Sequence, residues 1–189
     1  VNVGNFTAEI ISKAGALHDA LDRIGKQPSD VTEPLVKEIL RGGFNVNVPV
    51  VGRMYTFTYE AKYKNTLPFW DAQPVVLVIQ LHDNGDFTGL NFHYLPLDLR
   101  VKCFYLLDHQ TRPNDTKTLS VTWEKLVASA AKKMAEVTVK RYIKKNLKSR
   151  LTQIPAKNWF LALALPLADF RKATELQVNA ISKKHVGAG

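Results

Sequence analysis

Val75 to Leu81 reads Val-Val-Leu-Val-Ile-Gln-Leu, an almost unbroken apolar run of strand length. Such a run suits a central strand buried on both faces. Its flanks agree with that position. Met54 to Glu60 sets Tyr55, Phe57 and Tyr59 on one face and Thr56 and Thr58 on the other, the period-2 alternation of a half-buried strand. Asp83-Asn84-Gly85-Asp86 supplies a tight turn, because Asn and Gly tolerate positive φ, and Phe87 to Tyr94 returns as the partner strand. Pro68, Pro74 and Pro96 lack a donor N–H and therefore mark strand ends. The pattern predicts a β-meander over residues 53–96, with helices before and after it.

Before the meander, Ile10, Ala14, Leu17, Leu21 and Ile24 recur at spacings of four and three, one narrow helical stripe that packs either on the protein's own sheet or on a neighbouring helix, and its a/d spacing slightly favours the helix. Gly25 and Pro28 end that helix. A second opens at Ser29-Asp30, with Glu33 completing a capping-box-like arrangement, and Gly42-Gly43 closes it. Phe44 to Val51 alternates valine with asparagine and reads as an edge strand, a place that Pro49 tolerates. After the meander, Pro96 starts a helix with Leu99, Cys103, Leu106 and Leu107 inward. Residues 111–118 form a polar loop, and Thr122 caps a helix to about Ala135 with Met134 inward. Val139, Ile143, Leu147 and Leu151 then make a stripe that predicts a further helix, bearing Lys140, Arg141, Lys144, Lys145, Lys148 and Arg150 on its outer surface. A short apolar helix around Trp159 and a last helix from Pro166 to about Lys184 complete the chain. The expected division is a helical arm at 1–43, an α+β core at 44–186 and a frayed tail at 187–189. The core is expected as a small twisted antiparallel sheet or partial barrel with the C-terminal helices packed on it.

Charge is concentrated at one end. Residues 120–189 carry 14 Lys or Arg against four acidic residues, a net +10, while the remainder carries −1. Such asymmetry points to a polyanion or an acidic protein surface as partner, and otherwise to a solvated helical face. A single cysteine, Cys103, excludes an internal disulfide and a multi-cysteine zinc site, which suits a reducing compartment. No apolar run approaches the roughly 20 residues of a membrane span, and no secretory signal pattern is expected at the start.

The common nucleotide-binding, zinc-protease and hydrolase motifs are missing. His82, Asp83, Asp86 and His93 gather near one hairpin, yet their spacing matches no metal site, and both aspartates have work in the turn. Cys103 on an apolar helix face reads as core. The aromatics around Trp70 and His93 serve either as a ligand patch or as sheet packing, and packing is the commoner use. No catalytic residue, cofactor or metal is expected.

Three stretches carry a resemblance: Gly52-Arg53-Met54-Tyr55-x-Phe57-x-Tyr59, then Leu67-Pro68-Phe69-Trp70-Asp71-x-x-Pro74, then Gly89-Leu90-Asn91-Phe92-His93-Tyr94-Leu95-Pro96 with Arg100. Together with Ile154 to Trp159 and Leu165-Pro166-Leu167-x-x-Phe170, they resemble a family of small virion-associated proteins of T-even-like, contractile-tailed phages, often labelled DNA end protectors. Phe69-Trp70 stands where the family usually has two tyrosines, and the resemblance covers residues 52–170. It implies a non-enzymatic structural or assembly protein of the virion, put together in the host cytoplasm. The expected role is a tail or baseplate component that bridges larger virion proteins through the Ile10–Ile24 stripe and the basic segment. The alternative is a DNA-binding protein that protects or holds the genome end, with Lys140 to Arg150 on phosphates.

Overall fold

The structure is a computed structural model that describes residues 37, 40–111, 132–164 and 167–187. The stripe Ile10, Ala14, Leu17, Leu21 and Ile24, the loop after residue 111 and the predicted start of the next helix at Thr122 lie outside the described residues. Within them, eight strands and four helices run in the order β1 (Asn45–Val46), β2 (Met54–Thr56), β3 (Trp70–Asp71), β4 (Val75–Leu81), β5 (Phe87–Asn91), α1 (Leu97–Thr111), α2 (Lys132–Thr138), β6 (Val139–Tyr142), β7 (Leu151–Ile154), α3 (Trp159–Ala164), β8 (Phe170–Arg171) and α4 (Glu175–Gly187). Six strands form one sheet in the order β1-β7-β2-β4-β5-β6, and β3 pairs with β8 in a second. All pairings are antiparallel. Among the described residues the fold is therefore α+β, an open sheet with no closed barrel.

The meander β2-β4-β5 is the centre of the sheet, as its sequence predicts. Val75, Leu77 and Ile79 point into a cluster with Cys103, Phe104 and Leu107 of α1, Met134 and Ala135 of α2, and Trp159, Ala162 and Leu163 of α3. Val76 and Val78 point the other way, into a cluster of Tyr55, Phe57, Tyr59, Phe87, Tyr142 and Leu151. The second cluster is an aromatic set. Phe57 meets Tyr142 and Phe87 edge-on at 5.1 and 5.6 Å, and Phe87 stacks on Tyr142 at 5.3 Å. The hairpin between β4 and β5 turns at Gly85, φ +81°, which a side chain rarely adopts. Gly89 serves a different need, since a Cβ there would lie 2.2 Å from Val76 Cγ1 and 2.8 Å from the Leu77 carbonyl oxygen.

The predicted basic helix over Val139–Leu151 is not a helix. Val139 to Tyr142 is strand β6, Lys144–Asn146 is a single 3₁₀ turn, and β7 follows at Leu151. Its apolar residues have helical spacing but go to different places: Val139 packs on the helix-covered cluster, and Leu147 and Leu151 on the aromatic one. Tyr142 decides the matter. Opposite Phe87 in the β5–β6 ladder, and buried among rings, it needs the period of a strand to reach them. Tertiary pairing here outweighs local periodicity. Two further readings shift. The edge strand within residues 44–51 is confined to β1, and the last helix starts at Glu175 because residues 170–171 are taken into β8 and Lys172, at φ +68°, turns the chain.

Candidate functional site

The recognised motifs meet at Asp71. Its carboxylate is buried and saturated: Asn91 Nδ2 and His93 Nδ1 donate to Oδ2 at 3.0 and 2.7 Å, and the backbone N–H groups of Gln73 and Asp169 donate to Oδ1 at 3.0 and 3.2 Å. Burial pushes its pKa up, but His93 and the hydrogen bonds outweigh that and hold it below the usual carboxylate range. Asn91 in turn accepts from the His93 N–H at 3.1 Å. The Leu-Pro-Phe-Trp-Asp turn, the end of β5 and the β8 approach are thus tied at one point. Arg100 makes a second knot, donating to the Leu95 carbonyl through Nε and Nη2, to the Leu163 carbonyl at 3.1 Å and to Glu175 at 3.0 Å. The Ile154–Trp159 spacing has the same kind of use, because it lets the indole N–H reach the Ile154 carbonyl at 2.9 Å. Asp71, His93 and Arg100 are buried, so this network holds the fold, and Asp71 also stands in the wall of the adjoining cavity.

Beside it lies an open cavity of about 590 Å³. Its volume falls within the roughly 300–1,000 Å³ of ligand sites. Tyr63, Phe69, Trp70, Tyr94 and Tyr142 give it aromatic walls, and Val137 and Ile181 close it from α2 and α4. Lys62, Lys140 and Arg141 bring cations to the same space. Lys140, inward-pointing on β6, places Nζ 4.2 Å from the centre of the Tyr94 ring and donates to the Val137 carbonyl at 2.7 Å. Burial pulls its pKa down to about 8. No carboxylate among the described residues pairs with it. Burial likewise raises the phenol pKa values of Tyr94 and Tyr142, so both rings stay neutral walls.

The six cations expected on one helix divide into two groups. Lys140 faces the cavity, Arg141 pairs with Asp86 at 3.1 Å, and Lys148 pairs with Glu60 at 3.0 Å. Lys144, Lys145 and Arg150 are exposed and, among the described residues, form no ion pair. The turn that carries Lys144 and Lys145 is anchored from beneath. Asp86 Oδ1 accepts the Lys144 N–H at 3.0 Å, and Asn146 Nδ2 donates to the Glu60 carbonyl at 2.8 Å. Lys144 and Lys145 therefore stand on a fixed turn at the end of the edge strand β6.

Elsewhere the candidates disperse. His82 bonds Thr88, Asp86 is used by Asn84, Arg141 and the Lys144 N–H, and His93 is inside. No group of metal-ligating residues occurs among the described residues. Cys103 is buried, its thiol pushed up to about 12 by burial. No helix among the described residues is long and apolar enough to cross a membrane. What the sequence reading missed is the cavity, because the aromatics of residues 63–70, Tyr94 and Tyr142 are far apart in the chain. The available signal was the alternation Lys140, Tyr142 inside a β-branched stretch, which places a cation and a ring on one face of a strand.

A family model described as the phage T4 terminal DNA protecting protein matches residues 16–184. No curated protein and no solved structure matches the chain.

Proposed function

The chain belongs to the phage T4 terminal DNA protecting protein family, and from that premise we propose that it shields the ends of linear phage DNA by occupying them, without chemistry on the DNA. The observation that carries this reading is the family match, which spans most of the chain. The geometry supports it. Lys144, Lys145 and Arg150 are exposed and form no ion pair among the described residues, in the segment that follows the cavity-lining residues 140–143, and cations with aromatic platforms are the combination that non-sequence-specific binding of unpaired nucleic-acid strands uses. Lys148 joins them at the cost of its Glu60 partner. A protein of this kind works in the virion or on the DNA that leaves it, and its partners are DNA phosphates.

The bridging role in a tail or baseplate is a separate proposal, since its main carrier, the Ile10–Ile24 stripe, lies outside the described residues. An exonuclease assay tests the DNA reading. Purified protein is expected to slow digestion of linear duplex at physiological salt, with an affinity that falls as salt rises. Unchanged digestion at saturating protein would overturn the proposal.

A further inference from the structure

Cations alone do not tell a DNA end from its middle, because phosphates line the whole duplex. Something in an end-binding protein has to read a feature that only ends possess. One such feature is a terminal nucleotide, which has a stacking neighbour on one side only and leaves the helix at lower cost than an internal one. The cavity has the chemistry to receive it. Its lining includes the aromatic residues Tyr63, Phe69, Trp70, Tyr94 and Tyr142, its volume lies in the range of small-ligand sites, and Lys62, Tyr63 and Ile181 of the lining are solvent-exposed. Lys140 adds a cation that no carboxylate among the described residues neutralises, pointed at the inside rather than at bulk water. An ammonium has three donors, and the Val137 carbonyl takes one of them. A cation so placed awaits an anion that enters the cavity.

We infer that the cavity between the Leu67–Asp71 turn and β6 takes one unstacked terminal nucleotide of DNA, its base against the aromatic wall of Tyr63 and Trp70 and its phosphate at Lys140. The inference rests on the proposed DNA-end function and deepens it: the exposed cations hold duplex of any kind, and the cavity supplies the preference for ends. Stacking of a single base on aromatic side chains corresponds to an end preference on the order of 5- to 150-fold. An apolar peptide would fill the walls but leave Lys140 without an anion. A lone phosphate would satisfy Lys140 but not the walls. A nucleotide does both.

The experiment has two arms. In the first, the full chain binds a short linear duplex and the same duplex closed by hairpin loops at both termini, with 5-iodouracil placed at the terminal or at an internal position of the linear form. Preference for open over closed duplex is expected, together with photo-crosslinks from the terminal base to Tyr63, Trp70 or Tyr94 and none of these from the internal one. Equal binding of open and closed duplex would overturn both the DNA-end reading and the cavity. A clear open-end preference with crosslinks that map outside the cavity would overturn the cavity alone. The second arm uses Ile181→Trp, which fills the mouth from an exposed position, and Lys140→Met, with thermal unfolding as the control for folding. Both folded variants are expected to lose the open-end preference, the ratio of open- to closed-duplex affinity falling towards one. Retention of that preference in folded variants would likewise overturn the cavity assignment.

Discussion

The network around Asp71 and the segment from Lys140 to Arg150 are both rich in charge, and they are used in opposite ways. Around Asp71 the carboxylate takes four donors inside the protein, His93 Nε2 is left without a partner among the described residues, and the groups are buried. Along Lys140–Arg150 three cations have no ion-pair partner among the described residues, and a fourth faces an open cavity. A closed network fixes geometry, whereas open charge is free to bind. The sequence motifs that carry the family resemblance serve both regions: Asp71, Asn91, His93 and Arg100 close the network, while Tyr59, Leu67, Phe69, Trp70 and Tyr94 line the cavity. The exposed cations sit in a stretch whose motif is weak.

The largest expected effect comes from breaking the closed region. Asp71→Ala leaves Asn91, His93 and two backbone N–H groups without their acceptor, and should cost about 3–5 kcal/mol of stability in chemical denaturation. A variant that keeps its stability and loses only DNA binding would erase the contrast between the two regions. The reverse change sharpens it. Lys144→Glu with Lys145→Glu removes two exposed cations that hold nothing inside, so stability should move by no more than about 0.5 kcal/mol per site. The slope of log affinity for duplex against log salt should become shallower by about 2, at roughly 0.9 for each phosphate that the protein no longer neutralises. A change in stability with an unchanged salt slope would place these lysines in the closed class.

Lys140 stands between the regions, and its effect is read as a change with pH. Its folded pKa of about 8 lies below the ordinary lysine value of 10.5. Below pH 8 folded and unfolded chains both carry the proton, and the cost of burying the charge is constant. Between pH 8 and 10.5 the unfolded chain keeps a proton that the folded chain has released, so this group's contribution to stability rises with pH. The stability gap between Lys140→Met and the original protein should therefore narrow as pH is raised through that window. Lys62, Glu136, Arg141 and His185 at the rim, and Asp71, Tyr59, Tyr63, Tyr94 and Tyr142 in the walls, are present in both proteins. To first order their titration cancels in the difference. A gap that is constant from pH 7 to 10 would show that Lys140 is not confined by the cavity.

The central strands were legible because Val75–Leu81 and Tyr55-x-Phe57-x-Tyr59 have patterns that only a sheet uses, and the turn at Gly85 has residues that only a turn needs. The inward faces of α1 and of the chain around Met134 were legible for the same local reason. Segment 139–151 was not. Its four apolar residues mimic a helical stripe, and the fact that decides for a strand, the seat of Tyr142 among Phe57, Tyr59 and Phe87, depends on contacts with residues more than 50 positions away. The cavity was hidden by the same separation, since its walls come from residues 59–71, Tyr94, residues 136–143 and α4. Asp71 and His93 were visible as motif residues. Their partnership across 22 positions was not.

Amide hydrogen exchange, with and without a hairpin duplex that has one open end, tests the contrast most directly, because it reports every segment of the folded chain at once. Binding should slow exchange in residues 59–67 and 139–146, around the cavity and its basic edge, and leave residues 97–104 around Arg100, which do not line the cavity, as they were. It should do so more weakly when the open end is replaced by a second loop. Slowing confined to residues 97–104, or identical slowing by open and closed duplex, would contradict the assignment of DNA-end binding to the open region.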